Sequence, residues 1–137
     1  DSWPGWVAVC LRWADVHDGI FGLTASDPCG EELPAEENRA RNSQLELDLQ
    51  SLCAQQDNRI WWHSYGFVDE RKEHGFSVAA PLAEVVRLAE QHRQGAIFRF
   101  RRNTQTPEAA PFVRSTLPVL VADTEAEVLV APAWHEV

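Results

Sequence analysis

Positive charge is scarce in this sequence. Twelve lysines and arginines stand against 21 acidic residues in 137, a formal net charge of −9. That balance argues against nucleic acid or an anionic membrane surface as a partner, because phosphates recruit clusters of Lys and Arg. The one short basic run, Arg99, Arg101 and Arg102, is too small to reverse it. Long apolar runs are missing too, and none reaches the roughly 20 residues that cross a bilayer as a helix. Cysteine is limited to Cys10, Cys29 and Cys53, an odd count without C-x-x-C spacing. Free thiols in a reducing, cytoplasmic setting follow as the expectation. The histidines, His17, His63, His74, His92 and His135, are scattered without H-x-x-x-H or H-E-x-x-H spacing, so no zinc site is expected. G-x-G-x-x-G, a Walker loop and G-x-S-x-G are all absent, and Ser26 and Ser43 have no recognisable base partner. No cofactor is expected.

What is present is an ordinary globular composition, 45% hydrophobic and 24% charged. A chain of this length suits one domain over residues 1–137. Its organising stretch runs from Thr24 to Leu52: an apolar strand ends in a polar turn, and a long helix follows. Leu45, Leu49, Leu52 and Cys53 recur at helical spacing and mark a core-facing stripe. Extended backwards, the same stripe passes through Asn42, Arg41 and Asn38. Amides and a guanidinium on a buried stripe need hydrogen-bond partners, so something at that end of the helix must satisfy them.

In chain order, residues 6–13 read as a strand, with Val7, Val9, Leu11 and Trp13 alternating onto one face. Ile20–Ala25 is a second strand, stopped at Asp27-Pro28. The helix opened by Pro34 runs to about Gln56. Residues 59–68 form an aromatic strand, Asp69 to Glu73 a hairpin tip, and His74–Ala80 the return strand. Pro81 opens a second helix, Gln94-Gly95 ends it, and Ala96–Arg101 is a strand. Strands at 117–122 and 127–131, joined at Asp123-Thr124, form a C-terminal β-hairpin. Between Ile20 and Arg101 the order β-α-β-β-α-β predicts an α+β fold with a ferredoxin-like split β-α-β core. The N-terminal strand either inserts beside Ile20–Ala25 or pairs elsewhere.

A right-handed crossover makes strands 20–25 and 59–68 parallel. Their shared end then collects Thr24 to Cys29, Asn38, Arg41, Asn42, Glu73, His74 and Gln94. Open α/β sheets place ligands beyond the carboxyl ends of strands. The candidate ligand-binding residues are therefore Thr24, Asp27, Asn38, Arg41, Asn42, Glu73, His74 and Gln94. Arg41 would anchor an anion, the amides would orient it, and Glu73 or His74 would serve as acid–base. The same residues could instead tie loops and helix ends into a satisfied structural network. Oxygen ligands for Mg²⁺ or Ca²⁺ at Asp27, Glu31, Glu32, Asp69, Glu70 and Glu73 are weighed against simple solvation, and no metal is expected. Cys29, in the polar turn, is a nucleophile candidate without a base tied to it by spacing.

The motifs T-A-S-D-P, E-N-R-A-R-N-S-Q-L, E-H-G-F-S-V and Q-G-A-I-F, in this order over about residues 20–100, resemble a small bacterial family catalogued only as a domain of unknown function. Its members carry T-A-x-N-P, E-N-x-x-R-N-x-x-L, E-x-S-F-x-V and Q-x-A-I. This sequence departs at Asp27, where Asn is usual, and at Gly75, where Ser is common. The resemblance supports the fold and the polar end, and implies no activity.

Six tryptophans are many for this length. Trp3, Trp6 and Trp134 sit near the termini, where aromatics suit a protein partner or a self-association surface, or pack together over an open sheet face. Two functions follow. A protein-binding or interaction module, partnered by another protein or by its own copy, fits the missing catalytic motifs and the terminal aromatics. A binder of an anionic metabolite, or a small enzyme, would use the polar end.

Overall fold

The computed structural model describes residues 3–68, 71–121 and 128–130. It is an α+β structure. The first element corrects the sequence reading: Gly5–Val16 is a helix, α1, and not a strand over 6–13. The stretch is apolar on nearly every side, so a two-residue period and a helical one fit it equally well. Pro4 starts the helix, and Ala8, Leu11, Arg12 and Ala14 favour its continuation. Val7 and Ala14, two turns apart, are its buried positions.

The rest follows as β1 (Ile20–Leu23), α2 (Ala35–Cys53), β2 (Ile60–Val68), β3 (Arg71–Ala79), α3 (Leu82–Gln91), β4 (Ala96–Arg102), β5 (Phe112–Pro118) and β6 (Val128–Val130). The sheet order is β2-β3-β1-β4-β5-β6, with every neighbouring pair antiparallel. Helix α2 carries the chain from β1 past β3 to β2, and α3 carries it from β3 past β1 to β4. These are two interleaved split β-α-β units. Because α1 takes no strand position, β4 pairs directly with β1, Phe21 lying opposite Arg99 on one side and Val78 on the other.

One sheet face carries Phe21, Leu23, Phe76, Val78 and Ile97. Leu45 and Leu49 of α2 and Val85, Leu88 and Ala89 of α3 close over it. Removing one such leucine to Ala costs about 2–5 kcal/mol, because transfer and cavity terms add. Val7 and Ala14 of α1 are buried outside this cluster, as are Ile20 and Ala79, which alternation places on the opposite face. No described helix is long and apolar enough to cross a membrane.

The C-terminal hairpin is displaced from its expected place. β5 begins at Phe112 and ends at Pro118, which has no N–H to continue a ladder. Past it, the amides of Val119, Leu120 and Val121 all donate to the Gly95 carbonyl oxygen, at 2.8, 3.0 and 3.2 Å. β6 pairs with the first half of β5, Phe112 opposite Val130. The expected tip over Asp69 to Glu73 is shorter than the sequence suggests, because residues 71–73 already pair in β3; residues 69 and 70, the turn at Asp123-Thr124, Trp134 and His135 lie outside the described residues.

Candidate functional site

β1 stops at Leu23 and the chain enters an irregular turn. Asp27 and Cys29 adopt left-handed backbone, φ 45° and 51°, and one 3₁₀ turn follows at Pro28–Gly30. An irregular segment leaves backbone N–H and C=O groups that its own geometry cannot pair. The first half of α2 pairs them. Asn38, Arg41 and Asn42, three and four residues apart, share one helix face. Asn42 Oδ1 accepts from the Ala25 amide at 2.7 Å and from Thr24 Oγ1 at 3.2 Å, while its Nδ2 donates to Ser26 Oγ at 2.8 Å. Asn38 Oδ1 accepts from the Asp27 amide at 2.9 Å, and its Nδ2 donates to Asp27 Oδ1 at 2.9 Å. Asp27 Oδ1 also accepts from the Leu33 amide at 2.9 Å, which closes the turn on itself.

The other end of the fold joins the same turn. Arg41 donates from Nε to the Ala25 carbonyl at 2.9 Å and from Nη2 to the His92 carbonyl at 3.2 Å. Gln94, buried, donates to the carbonyls of Ser26 and His92 at 3.3 and 3.2 Å. Cys29 donates its amide to the Arg93 carbonyl at 2.7 Å. Thr24 Oγ1 also lies 3.1 Å from the His74 carbonyl. The structure therefore brings together Thr24, Asp27, Asn38, Arg41, Asn42 and Gln94, and ties in the backbone of His74. Arg41 holds two carbonyls with its guanidinium, and the amides hold the turn.

Glu73 and the His74 ring sit apart from that network, on the wall of an open cleft of about 520 Å³. The cleft lies between α2 and the start of β3, with Ser26 and Asp27 also lining it. His74, in that wall, belongs to a ladder of rings that sequence reading missed. His63 Nδ1 and His74 Nε2 are 2.9 Å apart, and the two rings stack at 5.1 Å. Tyr65 stacks on His74 at 5.2 Å, and Lys72 Nζ lies 4.5 Å above the Tyr65 ring. Glu46 of α2 reaches within 3.7 Å of His63 Nε2. Burial holds the His74 imidazole below its ordinary value; His63 adds to this and Glu46 opposes it. Strand alternation was the available signal, since residues 63 and 65, and 72, 74 and 76, fall on one face. Glu46 follows from Asn42 by one helical turn.

Among the described residues, no group of three or more His, Cys, Asp or Glu is placed to hold a metal ion. Cys29 is exposed, whereas burial raises the pKa of the Cys10 and Cys53 thiols. Of the terminal tryptophans, Trp3 is half-buried and donates to the Pro107 carbonyl at 3.3 Å. Trp6 stands 48% exposed on α1, near Val9 at 44% and Val16 at 49%. With the half-buried Trp13 these residues form a stripe at positions 6, 9, 13 and 16, turned away from Val7 and Ala14.

No curated protein and no solved structure matches this chain. Residues 23–97, more than half of the chain and the stretch that carries both the polar network and the cleft, match the family described as "Protein of unknown function (DUF3293)", and the chain belongs to that family.

Proposed function

We propose that this domain is a protein-interaction module that pairs with a second copy of itself through α1. The observation that supports this reading is the exposed stripe Trp6, Val9, Trp13 and Val16. A helix that is apolar on two faces has one face for its own core and one for a partner. The 3-4-3 spacing is that of a coiled-coil seam.

The stripe is also self-complementary. In an antiparallel pair related by a two-fold axis at residue 11, Trp6 meets Val16 of the copy and Val9 meets Trp13. Each contact sets a large side chain against a small one, and each occurs twice, as an isologous interface requires. Burying half-exposed Trp and Val side chains supplies the driving force at roughly 25 cal/mol per Å². One helix pair of this length falls below the roughly 1,200 Å² typical of stable complexes, so the expected dimer is transient.

Sedimentation equilibrium tests it. Mass should rise with concentration from one copy towards two, and Val9→Glu should hold the protein as a monomer with an unchanged thermal melt. A wild type that stays monomeric at every concentration would overturn the proposal, as would a Val9→Glu variant that pairs equally well. The polar network does not enter this reading, since its side chains bond to the chain itself.

A further inference from the structure

Strand β2 stands at one end of the sheet order, and its outer side has no neighbouring strand among the described residues. On its inner side β3 pairs with it along its whole length, from Ile60 opposite Ala79 to Val68 opposite Arg71. An antiparallel neighbour takes the N–H and C=O of every second residue. The residues between turn theirs outward, so a strand of this length presents roughly four or five such pairs along its outer side. Among the described residues, no turn or loop backbone bonds to residues 60–66.

Exposed edges are ordinarily blunted by being short, by carrying Lys or Pro, or by a covering element. β6, at the other end of the sheet, has only 3 residues. β2 has 9, and Ile60–Val68 contain no Lys, Arg, Asp, Glu or Pro. Such an edge is a template for one more strand.

The two faces of β2 set what that strand carries. Trp61, His63 and Tyr65 alternate onto the α2 side, where the His63 and Tyr65 side chains are exposed and Glu46 lies 3.7 Å from His63 Nε2. Lys72 reaches the Tyr65 ring from β3, on the inner side. Trp62, Ser64 and Gly66 alternate onto the other face, and a Cβ at Gly66 would meet nothing within 4 Å. An added strand would therefore set basic side chains over the exposed rings, near Glu46, and apolar ones beside Trp62 and over Ser64 and Gly66. The chain's net charge of −9 attracts the same sign.

We propose that the outer edge of β2 takes up, as an added strand, an extended segment of a partner protein in which basic and apolar residues alternate. Backbone hydrogen bonds hold the segment and its alternating side chains select it. This edge is separate from the α1 stripe, since α1 packs against β3 and β4.

The probe is a capped nine-residue peptide alternating lysine and isoleucine, titrated into the intact chain. It should bind with a dissociation constant of about 1 mM or below. Bound peptide should slow hydrogen exchange at alternate amides of β2, those that β3 leaves unbonded. An acidic counterpart alternating glutamate and isoleucine should bind at least about tenfold more weakly. The lysine peptide on a fully N-methylated backbone keeps every side chain, loses its donors and should not bind. Failure of the lysine peptide to bind, equal binding of the acidic or N-methylated peptide, or protection confined to amides outside β2 would each overturn the proposal.

Discussion

Replacing Asn42 by Leu isolates the contribution of the polar network. Asn42 is 6% exposed, and Ala25, whose amide it accepts at 2.7 Å, is fully buried. Leucine has a similar volume and branches at the same carbon, so the helix and its packing should persist. The three partners fare differently. Thr24 Oγ1 can turn its hydroxyl to the His74 carbonyl at 3.1 Å and loses little. Ser26, half-buried, can find water in the cleft. The Ala25 amide has no such recourse, and an orphaned buried donor costs about 1–3 kcal/mol. The apolar side chain itself is close to neutral at a buried site. With a urea slope of about 1–3 kcal/mol/M, the midpoint should fall by roughly 1 M. Hydrogen exchange supplies the local check: the Ala25 amide should exchange faster in the variant than whole-molecule destabilisation accounts for. An unchanged midpoint with undiminished Ala25 protection would refute the assignment of this network as structural.

Two further outcomes follow from the same geometry. Asp27→Asn keeps an oxygen for the Leu33 amide and a side chain tolerant of left-handed backbone, so its unfolding free energy from urea melts should stay within about 0.5 kcal/mol of wild type; Asp27→Ala loses both features and should cost about 1–2 kcal/mol. The pH dependence of stability should carry a contribution from His74, which faces His63, Tyr65, Lys72 and Glu46. Its folded-state pKa lies below its ordinary 6.5, so the unfolded chain binds the proton more readily, and stability present above that value is lost as pH falls towards the folded-state pKa. Urea midpoints at about pH 7.5 and about pH 5.5 should differ less in His74→Gln than in wild type, and an equal difference would remove His74 as a contributor.

Much of this molecule was legible in one dimension because its signals are local. The Leu45–Leu49 spacing, the prolines at 34 and 81 and the strand order from Ile20 to Arg101 mark the elements and, with the handedness of crossovers, gather the polar residues at one end. The demand for partners on the Asn38–Arg41–Asn42 face was also visible, since buried amides must be bonded. That Asn42 could reach the turn at Thr24–Asp27 was visible as well, but which atoms of the turn it would pair with was not. Only tertiary structure showed that the amides and Arg41 bond to backbone groups of residues 24–27 and 92, because an irregular turn's unpaired groups have no signature in side-chain identity. It also decided between helix and strand for residues 5–16, where both periods fit the sequence and the structure has a helix, with β3 and β4 flanking β1. And it alone set Glu46, His63 and His74 in a row, because residues from a helix and two strands meet only once α2 has closed over the sheet.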